Sequence, residues 1–293
     1  MIVAYDTETT GLWKNALGVD HPAQPKICSL SAILIEETSP NTFDVIDSMD
    51  VIVKPDGWVI DPPVLPSLGI TAAEAKAQGI RIAASDIHGI TPEIAEEQGI
   101  SLFDAMKRFN DLVIRADQLL AHNEAYDNNV VRHALKLLKR TIKLPERRCC
   151  TMMMAKDYCR LPPNFPGGDW KWPRLEEAYK FLFERELENA HNSLADITQT
   201  VEVYQELKRR GVPDAGPAQD RKGMKLKDWA ELGWNRERLE NLIRLKFTND
   251  PRLSEWDMKF LSSLHDRLSE FGDGVYLSEK QVDIFRKIEE KVA

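Results

Sequence analysis

The stretch "VAYDTETTGL", residues 3–12, constrains the fold most strongly, because it places two acids at the end of an apolar, strand-like run. Residues two apart in a strand point to the same face, so Asp6 and Glu8 are expected side by side, about 6–7 Å apart along the backbone. Two carboxylates that close repel each other unless water solvates them or a cation lies between them. Alone, the pair predicts either a solvated strand end or part of a metal site.

The order of predicted elements indicates a mixed α/β (α+β) fold with a mixed central sheet flanked by helices. Apolar runs predict two further strands that form an antiparallel meander with the first, over 26–36 and 42–55. A helical period over 101–116 follows, with Ser101 as its cap, and then a short buried strand within 118–123. Asn123 is a good N-cap residue for the next helix, and later helices are predicted over 174–183 and 193–210.

The segment 210–223 is rich in glycine, proline and charge, which is typical of a linker. We therefore predict a domain over 1–210, a linker over 211–223 and a small helical C-terminal domain over 224–293. Capped helical patterns over 254–268 and 278–292 support the last of these.

Composition limits the classes of protein that fit. A net charge of −8 argues against a protein that coats nucleic acid nonspecifically. The charge is uneven, however: residues 132–148 carry seven Lys/Arg and one Glu, which predicts either a solvated face or an edge that follows phosphates. The four cysteines suit a reducing compartment, and the sequence shows neither a signal peptide nor a membrane span, so we expect a cytoplasmic protein with no membrane partner.

Two further acids lie where a plain helix would not place them. Asp127 shares a helical face with apolar Val131, where an unpaired carboxylate is costly. Asp196 begins a helix, and His191 precedes it by five residues. A satisfied structural Asp127 and a capping box of Ser193 with Asp196 are the alternatives. Together the acids offer hard oxygen ligands, which suit Mg²⁺ or Mn²⁺.

At three motifs the chain resembles the DnaQ-like, DEDDh-type 3′–5′ exonucleases, which share a ribonuclease-H-like fold. These motifs are "DTETTGL" (6–12), "AHNEAYD" (121–127) and "AHNSLAD" (190–196), and "IHGIT" (87–91) also looks like a family segment. Tyr126 stands where the family commonly has Phe, and Ser193 where Ala is common. The resemblance covers roughly residues 1–210 and leaves the C-terminal domain outside the catalytic core.

The resemblance implies a role for each matched residue. Four carboxylates would hold two divalent cations, Mg²⁺ or Mn²⁺, with His191 as the general base; they are Asp6, Glu8, Asp127 and Asp196. The expected substrate-side residues are Thr9 and Leu12 at the terminal nucleotide, Asn123 as cap of the helix that carries Asp127, and His88 in the cleft or in a turn.

The function that the resemblance implies is metal-dependent removal of nucleoside 5′-monophosphates from the 3′ end of DNA, preferentially single-stranded. An RNA-trimming exonuclease with the same residues is one alternative, because the motifs do not distinguish the sugars. A proofreading or non-catalytic subunit of a polymerase assembly is another. The expected partners are single-stranded 3′ ends, with DNA favoured and RNA possible, and a polymerase or other replication or repair protein.

Overall fold

The computed structural model describes residues 1–61, 74, 77, 83–163, 169–186, 193–216, 223–225, 233–248, 250–271 and 275–292. The chain divides into two compact units, Met1–Lys14 with Val19–Ala218, and Asn15–Gly18 with Gln219–Ala293. The main division, between residues 218 and 219, falls inside the predicted linker. The domain bounds themselves stay a prediction.

The first unit is built on a five-stranded mixed sheet of order β3-β2-β1-β4-β5. Its strands are β1 (Ile2–Thr9), β2 (Ile27–Ser39), β3 (Thr42–Ile52), β4 (Gln118–Ala121) and β5 (Arg147–Cys150). The pairs β1–β2 and β2–β3 are antiparallel, whereas β1–β4 and β4–β5 are parallel. The predicted meander and mixed sheet are therefore confirmed, and β1 lies in the middle of the sheet.

Seven helices of the described part of this unit surround the sheet. They are α1 (Ser85–His88), α2 (Pro92–Gln98), α3 (Leu102–Val113), α4 (Glu124–Leu137), α5 (Thr151–Cys159), α6 (Leu175–Phe183) and α7 (Ser193–Arg209). The predicted cap of α3 is confirmed, because the Ser101 hydroxyl accepts a hydrogen bond from the Asp104 amide at 3.0 Å.

Side-chain alternation along β1 assigns each residue to one of two cores. Val3 and Tyr5 belong to the core under α3 and α4, where Tyr5 contacts Phe109 with ring centroids 5.4 Å apart. Ala4 belongs to the opposite core, under α5, α6 and α7, together with Ile197. Phe109 is fully buried, so its truncation to alanine would cost about 3–5 kcal/mol.

The second unit contains three helices and a small antiparallel strand pair among its described residues. The elements are β6 (Gly223–Lys225), α8 (Arg236–Arg244), the 3₁₀ turn Leu245–Phe247, α9 (Glu255–Phe271), β7 (Tyr276–Ser278) and α10 (Glu279–Val292). The patterns over 254–268 and 278–292 predicted α9 and α10, whereas α8 was not predicted. The strands were not predicted either, because three residues are too few to display an alternating pattern. Trp234 and Phe285 lie in its core.

None of the helices in the described ranges has the length and apolarity that a membrane span requires.

Candidate active site

Two of the predicted acids meet a third on one face of the sheet. Because β1 alternates, Asp6 and Glu8 follow Ala4 on the side covered by α7. Asp196 lies in the first turn of α7. One ligand oxygen from each of the three carboxylates lies within 4.8 Å of the other two. The structure thus brings together residues that are 190 positions apart in the sequence.

Two of these acids, Asp6 and Glu8, have raised pKa values. Burial raises the pKa of Asp6 well above its ordinary range, and the negative charges of Asp127, Glu8 and Asp196 raise it further. Burial and then the charge of Asp196 raise the pKa of Glu8 to about 7. No Lys or Arg within the described part of the chain forms an ion pair with Asp6 or Glu8. A divalent cation would relieve this repulsion, which makes the cluster a fitting metal site.

Asp127, the fourth predicted acid, is not among these three ligand oxygens; it is bonded to Thr7, and its charge raises the pKa of Asp6. β1 and β4 pair only as far as Ala4, so the Thr7 amide lies beyond the end of that ladder. Asp127 Oδ1 accepts from this amide at 3.0 Å and from the Thr7 hydroxyl at 2.7 Å. The two bonds lower the pKa of Asp127, but burial outweighs them and the pKa is raised overall. Asp127 is therefore held in one orientation beside Asp6.

The loop after β1 is anchored by Tyr126, the residue that departs from the family's usual Phe. The Tyr126 hydroxyl donates to the Gly11 carbonyl at 2.8 Å, and the Thr9 hydroxyl donates to the same oxygen at 2.8 Å. The two hydroxyls also contact each other. Gly11 has φ +152°, a conformation that side-chain-bearing residues rarely adopt. Leu12 follows it and is 85% exposed, unusual for an apolar residue at an anchored position.

A second anchor fixes the far side of this loop. The Gln24 side chain, which is buried, accepts from the Lys14 amide at 3.0 Å and donates to the Lys14 carbonyl at 3.0 Å. Leu12 thus projects from a loop that is hydrogen-bonded on both sides, at Gly11 and at Lys14.

Sequence reasoning missed a buried polar group behind Asp127. Glu124, one helical turn before Asp127 on α4, accepts from the Tyr5 hydroxyl at 3.3 Å and forms an ion pair with Arg148 at 3.5 Å. Burial raises the pKa of Glu124, while Arg148 lowers it. The spacing of three residues from Asp127 was the available signal, because it places both acids on one side of the helix.

His122 was also missed, and it has a structural role. Its Nε2 donates to the Pro173 carbonyl at 3.0 Å, since a carbonyl only accepts, and Nδ1 then accepts from the Thr151 hydroxyl at 2.9 Å. Burial lowers the pKa of His122 to about 4, so the ring is neutral. It ties the end of β4 to the segment before α6.

The expected substrate-side residues have different surroundings. Asn123 directly precedes α4, but its side chain makes no capping bond; the prediction of a side-chain cap was wrong. The reason is its left-handed backbone (φ 69°), whereas a capping residue needs an extended one. His88 Nδ1 accepts from the Ile90 amide at 3.1 Å, which is a turn contact. His191 and the side chain of Ser193 lie outside the described residues, so their predicted roles stay predictions.

Comparison with known proteins agrees with this geometry. The family model "Exonuclease" (RNase_T) matches residues 73–204. This segment is similar to that exonuclease family. The exonuclease segment contains Asp127, His191 and Asp196, whereas Asp6 and Glu8 precede the matched range and are joined to it by the fold.

Individual relatives extend the comparison. DNA polymerase III subunit epsilon of Rickettsia conorii is 31% identical over 126 residues, which are 41% of this chain and 50% of that protein. This chain therefore matches about half the length of that relative. The nuclease domain of 3′hExo, a DEDDh family member bound to rAMP, superposes with a TM-score of 0.50 at 11% identity, over 73% of this chain and 94% of that domain. Exonuclease I of E. coli in complex with a dT13 oligonucleotide gives a TM-score of 0.49 at 23% identity, over 71% of this chain and 41% of that protein. The predicted ribonuclease-H-like exonuclease fold is confirmed by the superposition on the 3′hExo domain.

Proposed function

We propose that this protein is a metal-dependent 3′–5′ exonuclease that removes nucleoside 5′-monophosphates from DNA, preferentially from single-stranded ends. One observation carries the proposal: carboxylate oxygens of Asp6, Glu8 and Asp196 lie within 4.8 Å of one another in a chain with an RNase_T exonuclease segment. The epsilon subunit relative belongs to a DNA polymerase, which favours DNA over RNA as the substrate.

The donor set fits Mg²⁺ or Mn²⁺. All four proposed ligands, Asp6, Glu8, Asp127 and Asp196, offer oxygen, and no cysteine or other soft donor is among them. Burial raises the pKa values of Asp6 and Glu8, neighbouring negative charges raise them further, and a cation would neutralise those charges. Two divalent ions at such a site polarise the phosphodiester and lower the pKa of water.

Side chains of this protein accept the proton, orient a metal ligand and bind the terminal nucleotide. His191 accepts a proton from the attacking water, a task that suits an imidazole because its ordinary pKa lies near neutrality. Thr7 holds Asp127 in one orientation through its amide and hydroxyl. The exposed Leu12 packs against the terminal base, and its twice-anchored loop limits the entropy lost on binding.

A degradation assay tests the proposal. A 5′-labelled single-stranded DNA and the matched RNA are incubated with Mg²⁺, with Mn²⁺ or with EDTA, using the parent protein and His191→Ala. We expect a ladder that shortens from the 3′ end, with DNA degraded faster than RNA, and no ladder in EDTA or with His191→Ala. The control Asp44→Asn, an exposed acid on β3, should behave as the parent does. Intact DNA and RNA under every metal condition would disprove the proposal.

A proofreading role in a polymerase assembly is the second candidate, favoured by the same epsilon subunit relative. Its mark would be faster removal of a mismatched than of a matched 3′ nucleotide from a primer–template duplex. Equal rates on the two primers would favour an enzyme that acts alone. The free, buried Cys28, Cys149, Cys150 and Cys159 fit the reducing cytoplasm that we propose as its location.

A further inference from the structure

The basic residues of the first unit fall into two groups. Most exposed cations outside 132–148 contact an acid, as Lys54 does with Glu96 at 2.6 Å and Lys107 with Asp111 at 3.4 Å. By contrast, five exposed cations on α4 and in the loop after it have no carboxylate partner within the described ranges. They are Arg132, Lys136, Lys139, Arg140 and Lys143. Unpaired cations are conspicuous in a chain whose net charge is −8.

These cations lie along α4 and beyond its end, at increasing distance from Asp127. Asp127 lies in the first turn of α4, whereas Arg132 and Lys136 lie on its exposed face. At a rise of about 1.5 Å per residue they stand roughly 7.5 and 13.5 Å further along the helix axis than Asp127. Lys139, two residues after the end of α4, adopts φ 51°, and the chain leaves the helical path there before Arg140 and Lys143.

An exposed aromatic ring lies among these cations. Phe103 at the start of α3 is 47% exposed, and the Arg140 guanidinium lies 5.7 Å from its ring centroid. An accessible ring beside unpaired cations is the combination that binds single-stranded nucleic acid, because bases stack on the ring while the cations contact phosphates.

Helix stabilisation explains only part of this arrangement. Lys136 lies in the last turn of α4, and Lys139 and Arg140 follow directly after its end, where cations interact favourably with the helix dipole. Arg132 lies more than a turn before that end, and Lys143 lies six residues beyond it. The dipole also gives no reason for the exposure of Phe103.

We propose that Arg132, Lys136, Lys139, Arg140, Lys143 and Phe103 form an upstream strand surface, which binds a single-stranded nucleic acid several nucleotides from the 3′ end under cleavage. The inference rests on the proposed function for the direction of the strand. The ligand that fits the upstream strand surface is a flexible polyanion with exposed bases. It adds a binding site at a distance from the acidic cluster.

Equilibrium binding of labelled dT20 and dT3, measured by fluorescence anisotropy with Ca²⁺ in place of Mg²⁺, tests the proposal. The variant is Arg132→Gln/Lys136→Gln/Arg140→Gln. The matched control is Lys54→Gln/Lys107→Gln/Lys180→Gln, which removes three exposed, ion-paired cations elsewhere. We expect the variant to bind dT20 at least about 10-fold more weakly, with a salt slope smaller by about 2, since three phosphate contacts are lost. Binding of dT3, and of dT20 by the control, should change less than about 2-fold.

Phe103→Ala separates stacking from charge. It should weaken dT20 binding about 3-fold or more while leaving the salt slope as in the parent, because no phosphate contact is removed. Should the triple variant melt at a lower temperature, the pair Arg132→Gln/Lys143→Gln provides the same comparison away from the last turn of α4.

Unchanged dT20 binding by the variants would overturn the proposal, and so would an equal loss in the control, which would indicate net charge alone. Because no turnover is needed, the outcome is independent of the nuclease assay. A protein that binds dT20 through this surface yet degrades no DNA or RNA would retain the upstream strand surface and lose the proposed exonuclease function.

Discussion

The two faces of β1 use the same stretch of sequence in opposite ways. On the side of α4, the hydroxyls of Thr7 and Thr9 are satisfied by hydrogen bonds to Asp127 and Gly11. On the side of α7, carboxylate oxygens of Asp6, Glu8 and Asp196 lie within 4.8 Å of one another. In addition to burial, the charges of Glu8 and Asp196 raise the pKa of Asp6, and the charge of Asp196 raises the pKa of Glu8. The first face positions side chains, whereas the second stores electrostatic repulsion that a cation can relieve.

The largest effect is expected on the face that holds the acids. Asp6→Asn keeps the size of the side chain but removes one proposed metal ligand. Loss of a residue that only supports a metal ligand lowers metal affinity or activity about 10–100-fold. Loss of the ligand itself should cost more, so kcat/KM on single-stranded DNA should fall by more than about 100-fold. The melting temperature without metal should stay level or rise, because a repelling charge is gone. A variant with parental activity would remove Asp6 from the proposed site.

The supporting face should give an intermediate effect. Thr7→Val removes the hydroxyl bond to Asp127 and keeps the amide bond. We expect activity to fall about 10–100-fold and the free energy of unfolding to drop by about 1–3 kcal/mol, because a buried carboxyl group loses a hydrogen-bond partner. Thr7→Ser restores the hydroxyl and should recover most of both. Equal behaviour of the Val and Ser variants in kinetics and urea unfolding would contradict this assignment.

A smaller effect is expected from Tyr126→Phe, which deletes only the hydroxyl that binds Gly11. The loop that carries Leu12 then loses one anchor, so KM should rise about 3–5-fold while kcat stays within 2-fold. In a double-mutant cycle with Leu12→Ala the two effects should not add, because both act on the same contact with substrate. Additive effects would mean that Tyr126 does not act through Leu12. Tyr158→Phe, on α5, is the matched control.

The smallest effect concerns stability and pH. The pKa of Glu8 is raised from 4.5 to about 7, so the folded protein binds this proton more tightly than the unfolded chain. Its contribution is fully present below pH 4.5 and is lost as the pH rises to about 7. Without metal, the parent should therefore lose melting temperature relative to Glu8→Gln across that window. The difference should shrink when Mg²⁺ is added, and a constant difference across the window would contradict the raised pKa.

Much of the fold could be predicted because local signals were strong. Ser101 marked the start of α3, and alternation along β1 indicated which side chains share a face. The anchors around the acids could not be predicted in this way. The bond from Thr7 to Asp127 depends on β4 ending earlier than β1, and the capping role expected of Asn123 failed because its backbone is left-handed. Such features arise from tertiary geometry, which a local pattern does not encode.

Register of β1 against β2 has a consequence for refolding experiments. The pairing shifts between Glu8 and Thr9, directly after the second acid. A slip by one residue would exchange the two faces, and turn the acids toward α4 and the threonines toward α7. Such a molecule would keep its secondary structure and yet lack an active site. If the proposed activity is correct, specific activity would report strand register, and its ratio to circular dichroism amplitude would measure folding fidelity.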